Sequence, residues 1–175
     1  SLLLGVSATS DARIESHGSV NLILNTIGSF TATGSSGASS RAIVATGQGG
    51  DITMTGSGIY TITGGSSGTD SRAGIFSGLA SGNGNISVTG DAMSITGGSG
   101  TGNGIAGIFS GFASGSGNIS VTAASLSLAG GSNTGTNDAQ IAAPAGGGSV
   151  TVAAAGAVTL NGGTAANQNS FIQTL

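Results

Sequence analysis

The sequence predicts an all-β fold, a single parallel β-helix in which about five and a half coils of 31–34 residues each carry three short strands. Three observations predict it. The segment Gly84-Asn85-Ile86-Ser87-Val88-Thr89 returns as Gly117-Asn118-Ile119-Ser120-Val121-Thr122. Ala73-Gly-Ile-Phe-Ser-Gly-Leu-Ala-Ser-Gly82 returns at the same offset as Ala106-Gly-Ile-Phe-Ser-Gly-Phe-Ala-Ser-Gly115. Three classes of apolar-polar alternation keep that period along the chain, with Gly, Ser, Asn and Asp filling the gaps as turn residues. An antiparallel sandwich has no reason to repeat equivalent residues at one period in all three classes, whereas stacked coils do.

The elements follow in order. The first class reads Val20-x-Leu22, Ile52-x-Met54, Ile86-x-Val88, Ile119-x-Val121 and Val150-x-Val152. The second reads Phe30-x-Ala32, Tyr60-x-Ile62, Met93-x-Ile95, Leu126-x-Leu128 and Val158-x-Leu160, with Leu2-Leu3-Leu4 as a preceding, incomplete copy. The third centres on Ile14, Ile43, Ile75, Ile108, Ile141 and Ile172, expected as one internal column. Residues 1–175 then form one solenoid segment, either part of a longer rod or a unit built to stack. It opens on a second-type strand and closes on a third-type strand, Phe171–Leu175, and exposed solenoid ends invite end-to-end pairing.

Composition narrows the function. With 36 Gly and a charged fraction of 5%, disorder is a possible reading, but the apolar residues are placed periodically. Net charge is −3 and there is no Lys, which argues against a nucleic-acid partner. No stretch has the apolar length of a membrane helix, so no membrane insertion is expected. The start, Ser1-Leu2-Leu3-Leu4, lacks the basic and long apolar regions of an intact signal peptide. Absence of Cys says little about compartment, because a continuous core needs no disulfides.

Candidate sites are few. Asp11, Arg13, Glu15 and His17 form the dense charged cluster and would share one face of a strand. Glu15 with His17 could serve acid-base chemistry, but no second cluster lies at a coil offset to complete a cleft. The bland reading is a solvated, weakly paired face. Gly97–Ile105 nearly matches a calcium-binding nonapeptide but has Gly102 where an Asp is needed and lacks tandem copies. No catalytic, cofactor-binding or metal residue is therefore assigned, and the chain is read as a non-enzyme needing no cofactor. Asn85 and Asn118 begin formal glycosylation sequons, yet equivalent Asn residues on successive coils are better read as a turn ladder. Asp51 holds the same slot, as do Ser19 and Ser149. The residues after the stacked Ile positions are Glu15, Val44, Phe76, Phe109, Ala142 and Gln173. Alternation points them outward, so Val44, Phe76 and Phe109 are expected to form an exposed apolar stripe for lateral association. Outward hydroxyl columns, Thr53-Ser87-Ser120-Thr151 and Thr61-Ser94-Ser127-Thr159, resemble the ranks of ice-binding solenoids. Ser interrupts those ranks, and hydroxyl residues also simply suit exposed strands.

Residues 117–131, Gly-Asn-Ile-Ser-Val-Thr-Ala-Ala-Ser-Leu-Ser-Leu-Ala-Gly-Gly, resemble the repeats of filamentous-haemagglutinin-type exoproteins. These are bacterial surface adhesins exported by the two-partner route, and autotransporter passengers are similar. The resemblance covers most of residues 18–175. It implies a right-handed, single-stranded β-helix, export to the cell surface or the extracellular space, and a structural or adhesive role. The expected partners are other copies of the chain, by end-to-end stacking or lateral bundling, and host or matrix glycans. The alternatives are a β-helix that binds or cleaves polysaccharide, and an ice-binding solenoid.

Overall fold

Short alternating segments separated by glycine-rich corners can bury their apolar side only by stacking on a copy of themselves, and the chain does so. A computed structural model describes residues 2–5, 11–25, 28–37, 41–66, 70–143 and 147–174. Ser1 and Leu175, included above in the end strands, lie outside these. Seventeen strands and no helix occur among the described residues. Sheet A holds β1 (Leu2–Gly5), β4 (Phe30–Thr33), β7 (Tyr60–Thr63), β10 (Ala92–Thr96), β13 (Ser125–Ala129) and β16 (Val158–Asn161). Sheet B holds β2 (Ala12–Ser16), β5 (Ala42–Thr46), β8 (Ala73–Phe76), β11 (Ala106–Phe109), β14 (Ala139–Ala143) and β17 (Ser170–Thr174). Sheet C holds β3 (Leu22–Asn25), β6 (Ile52–Thr55), β9 (Ile86–Thr89), β12 (Ile119–Ala123) and β15 (Val150–Ala154). Every strand pairs in parallel with its counterpart one coil away, and the chain cycles B, C, A. This is the three-stranded parallel β-helix that the repeat predicts.

The interior is a stack of columns. In sheet A, Phe30, Tyr60, Met93 and Leu126 lie in register, followed by Val158. In sheet C the column is Leu22, Ile52, Ile86, Ile119, Val150. The central members are sealed, Tyr60 and Ile62 completely, and the Phe30 and Tyr60 rings pack 5.7 Å apart. Buried side chains of this size contribute roughly 1.5–3 kcal/mol each to folding, enough to drive the stacking without disulfides.

Two register expectations are corrected. The first sheet C strand places Leu22 and Leu24, not Val20 and Leu22, beneath Ile52 and Met54. Val20 is 63% exposed. A two-residue slip keeps the same side chains facing inward, so alternation cannot distinguish these registers. In sheet B, Val44 rather than Ile43 sits between Ile14 and Ile75. Ile43 pairs with Arg13 and Gly74 and points to the opposite side. The cause is that β5 is buried on both faces, so its apolar run carries no phase information.

Candidate functional surfaces

Sheet B is covered on its outer side by a second, smaller core. The column Glu15, Ala45, Phe76, Phe109, Ala142, Gln173 does face away from the main interior. It does not form the expected exposed stripe. Phe76 and Phe109 are buried, and Val44 belongs to the main core. Ile43, Ala45, Phe76, Phe109 and Ala142 cluster beneath Leu79, Ile105, Phe112 and Phe171. The Phe76 and Phe109 rings stack 5.0 Å apart, and Phe112 meets both edge-on at 5.2 and 5.4 Å. Each ring folds over the glycine two positions earlier. A Cβ at Gly107 would come within 2.7 Å of the Phe109 ring and strike the Gln140 carbonyl.

Leu79 and Phe112 come from loops joining sheet B to sheet C, and in four of these loops a hydroxyl closing the strand bonds a carbonyl further along the loop. Ser16 Oγ donates to the Val20 carbonyl and Thr46 Oγ1 to the Gly50 carbonyl, both at 2.7 Å. Ser77 donates to the Gly84 carbonyl at 2.5 Å, and Ser110 donates to the Gly117 carbonyl. Gly78 and Gly111, both at φ 61°, start the reversal. Successive loops then stack, with the Phe112 and Ala113 amides donating to the Ser77 and Gly78 carbonyls at 3.3 Å. The sequence signal for this hydroxyl bond is a Ser or Thr, Ser16, Thr46, Ser77 or Ser110, closing a third-type strand before a glycine-rich turn; β14 closes on Ala143 instead.

Asn85 and Asn118 lie at the corner before sheet C, inside a longer ladder. The Asp51 amide donates to Asn21 Oδ1 at 2.9 Å, and the Asn85 amide to Asp51 Oδ1 at 2.8 Å. The Asn118 amide donates to Asn85 Oδ1 at 3.0 Å, and the Ser149 amide to Asn118 Oδ1 at 2.9 Å. Asn21, not Ser19, holds the first rung, following the register slip described above. Each side chain thus satisfies the backbone donor of the next coil at a corner where the strand pattern has ended.

The charged patch is a set of local ion pairs. Arg13 bonds Asp11 and reaches Glu15 at 3.4 Å. Partial burial pushes the Asp11 carboxyl up, but the Arg41 amide, which donates to it at 2.7 Å, and the Arg13 guanidinium outweigh that and hold it below its ordinary range. Burial likewise lowers Arg13, and Asp11 and Glu15 more than restore it, so its net shift is upward. No hydrogen bond or ion pair joins His17 to Glu15, so the acid-base pair weighed from the sequence is not assembled. Further along sheet B, Asp70 pairs with Arg41, one coil beyond this patch, and with Arg72, two coils beyond it. The Arg72 guanidinium lies 4.7 Å from the Phe112 ring centre and closes one side of the second core. Among the described residues no group of three or more His, Cys, Asp or Glu could hold a metal ion.

The outer faces of sheets A and C bear no charged strand residue. Thr31, Thr61, Ser94, Ser127 and Thr159 are in register on sheet A, and Thr53, Ser87, Ser120 and Thr151 on sheet C. Where sheet A turns toward sheet B, a groove of about 370 Å³ runs along four coils. Its hydroxyls come from Thr63, Thr96, Ser99, Ser132 and Thr164. Comparison with protein-family models, with curated proteins and with solved structures gives no match.

Proposed function

We propose that this chain is a shaft segment of a bacterial extracellular or cell-surface fibre, with a mechanical and adhesive-display role. The observation that carries this reading is the unbroken register. All three sheets continue from coil to coil, with the same columns facing inward throughout the middle of the rod. Such a stack resists bending and transmits load through parallel hydrogen-bond ladders, while each coil depends only on its neighbours. The resemblance of residues 117–131 to filamentous-haemagglutinin-type repeats supports the same reading. Further coils, from the same chain or from another copy, would lengthen the rod through the edges of its outermost strands.

The test is surface labelling of intact source cells with an antibody to the folded segment, with and without external protease. Labelling that external protease removes supports the fibre reading. Signal seen only after the cells are opened would overturn it. Single-molecule pulling adds a second check, since a shaft should unfold in steps of whole coils at a force well above that of a flexible linker.

A further inference from the structure

We propose that the hydroxyl-lined groove between sheets A and B binds an extended, uncharged polysaccharide strand laid parallel to the rod axis. The inference goes beyond the mechanical reading and does not depend on where the rod is displayed. The groove volume, about 370 Å³, falls within the range of small-ligand sites. Its four coil levels span about 14 Å at roughly 4.8 Å per coil. An extended pyranose chain has a repeat of similar length, so successive sugars meet successive coils.

The chemistry of the walls selects the ligand. At Gly64, Gly97 and Gly130 the backbone amides are engaged by the next coil, at 2.9 Å each. The amides of Gly98 and Gly131 are engaged by the Gly104 and Asn137 carbonyls. Backbone donors are therefore spent, and polar contact with a ligand falls to the Thr and Ser hydroxyls. None of Thr63, Thr96, Ser99, Ser132 and Thr164 uses its hydroxyl in a hydrogen bond to another described residue. Each can donate and accept, which matches sugar hydroxyls. No charged residue lines the groove, and the arginines lie at or beside sheet B, paired with Asp11, Glu15 and Asp70. A uronate, sulfated or phosphorylated strand would find no cation. With no aromatic platform in the lining, each sugar contributes little, and affinity should build with chain length until the groove is filled.

The experiment is a titration of the isotopically labelled chain with neutral linear gluco- and xylo-oligosaccharides of two to six units, followed by amide NMR shifts. Oligogalacturonates of the same lengths serve as the charged comparison. The expected result is shifts at Thr63, Thr96, Ser99 and Ser132. Affinity should rise at least tenfold from disaccharide to tetrasaccharide and then level off. The double variant Thr63→Val, Thr96→Val keeps strand preference and shape while removing two hydroxyls. It should weaken binding at least fivefold, and Thr53→Val on sheet C should not. Ser99→Leu, in an exposed loop position, provides a second block. Absence of shifts at millimolar neutral oligosaccharide, equal binding of galacturonates, shifts that map elsewhere, or full binding by the folded variants would each overturn the proposal. Surface labelling of cells is unaffected by any of these outcomes, so failure here leaves the fibre reading intact.

Discussion

Replacing Phe109 by Ala tests whether sheet B carries a second core or an exposed stripe. The ring is 3% exposed and touches Phe76 at 5.0 Å and Phe112 at 5.4 Å. Buried Phe→Ala substitutions cost about 3–5 kcal/mol, less where the surroundings can settle into the space. Here the cover is a loop held to the preceding loop by two backbone hydrogen bonds of 3.3 Å, so some settling is expected and the cost falls to about 3 kcal/mol. For a chain of this size that corresponds to a fall in Tm of about 6–12 °C. Combining it with Phe112→Ala should show a coupling of about 1 kcal/mol, because the second ring loses its partner once the first is gone. Urea unfolding followed by circular dichroism gives the loss. Hydrogen exchange at the amides of Ile108 and Ile141 shows whether neighbouring coils share it. A loss under about 1 kcal/mol, with additive effects, would refute the second core and restore the exposed stripe.

Three further outcomes are expected. Asn118→Ala removes the acceptor for the Ser149 amide and should cost about 1 kcal/mol in urea unfolding, while Asn118→Asp, which keeps that acceptor and has Asn85 and Ser149 as its ladder neighbours, should cost less than half of that; equal losses would show the ladder is decorative. Gln168 is buried with its amide nitrogen unpartnered, whereas Asn137, one coil earlier in the same column, bonds Gly104, Gly100 and Ser132. Gln168→Asn should therefore stabilise the protein by about 1 kcal/mol, and a loss would show the longer side chain fills needed space. Because folding holds the Asp11 carboxyl below its unfolded value, its stabilisation is present above that value, near pH 4, and lost as pH falls through the lower folded one. Asp11→Asn should flatten that part of the acid limb of a stability-versus-pH curve, by a small amount since the pair is partly solvated, and an unchanged limb would exclude the contribution.

Sheets A and C were legible because each has one wet face. Ile86-Ser87-Val88-Thr89 alternates strictly, and the structure buries Ile86 and Val88 while exposing Ser87 and Thr89. Sheet B was legible as a set of strands but not in phase. Both sides of Ala42–Thr46 and Ala73–Phe76 are buried, so period-two reasoning had no polar residue to anchor it, and Ile43 was placed one residue out of phase. The outward direction of Phe76 and Phe109 followed from alternation, but their cover did not. It depends on a loop that returns over the sheet, and the informative pattern was spread over Ser77, Gly78 and Leu79 and their copies Ser110, Gly111 and Phe112. The corner ladder was legible because Asn recurs at the rung position itself. The groove was not, because it is made by the relation between the end of sheet A and the loops beyond it.

In-register parallel stacking explains why so few charges appear. On the outer faces of sheets A and C the repeat keeps residue type down each column at roughly 4.8 Å, so a charge kept by the repeat would stack on its own sign. Two unit charges at that distance repel by about 0.9 kcal/mol even at the dielectric constant of water. A hydroxyl or carboxamide can donate to and accept from its own kind, so Thr, Ser and Asn stack without penalty. Where like charges do stack, Arg41 beneath Arg72, Asp70 is bonded to both. The rule can be tested on sheet C, where Ser87 and Ser120 are register partners with exposed side chains. Ser87→Lys and Ser120→Lys should each be tolerated alone, within about 0.5 kcal/mol. Together they should cost about 0.5–1 kcal/mol more than the sum at low salt, and the excess should disappear near 1 M salt, where screening acts within about 3 Å. Additive costs at low salt would mean that the lysines splay apart, and the low charge of the chain would then need another cause.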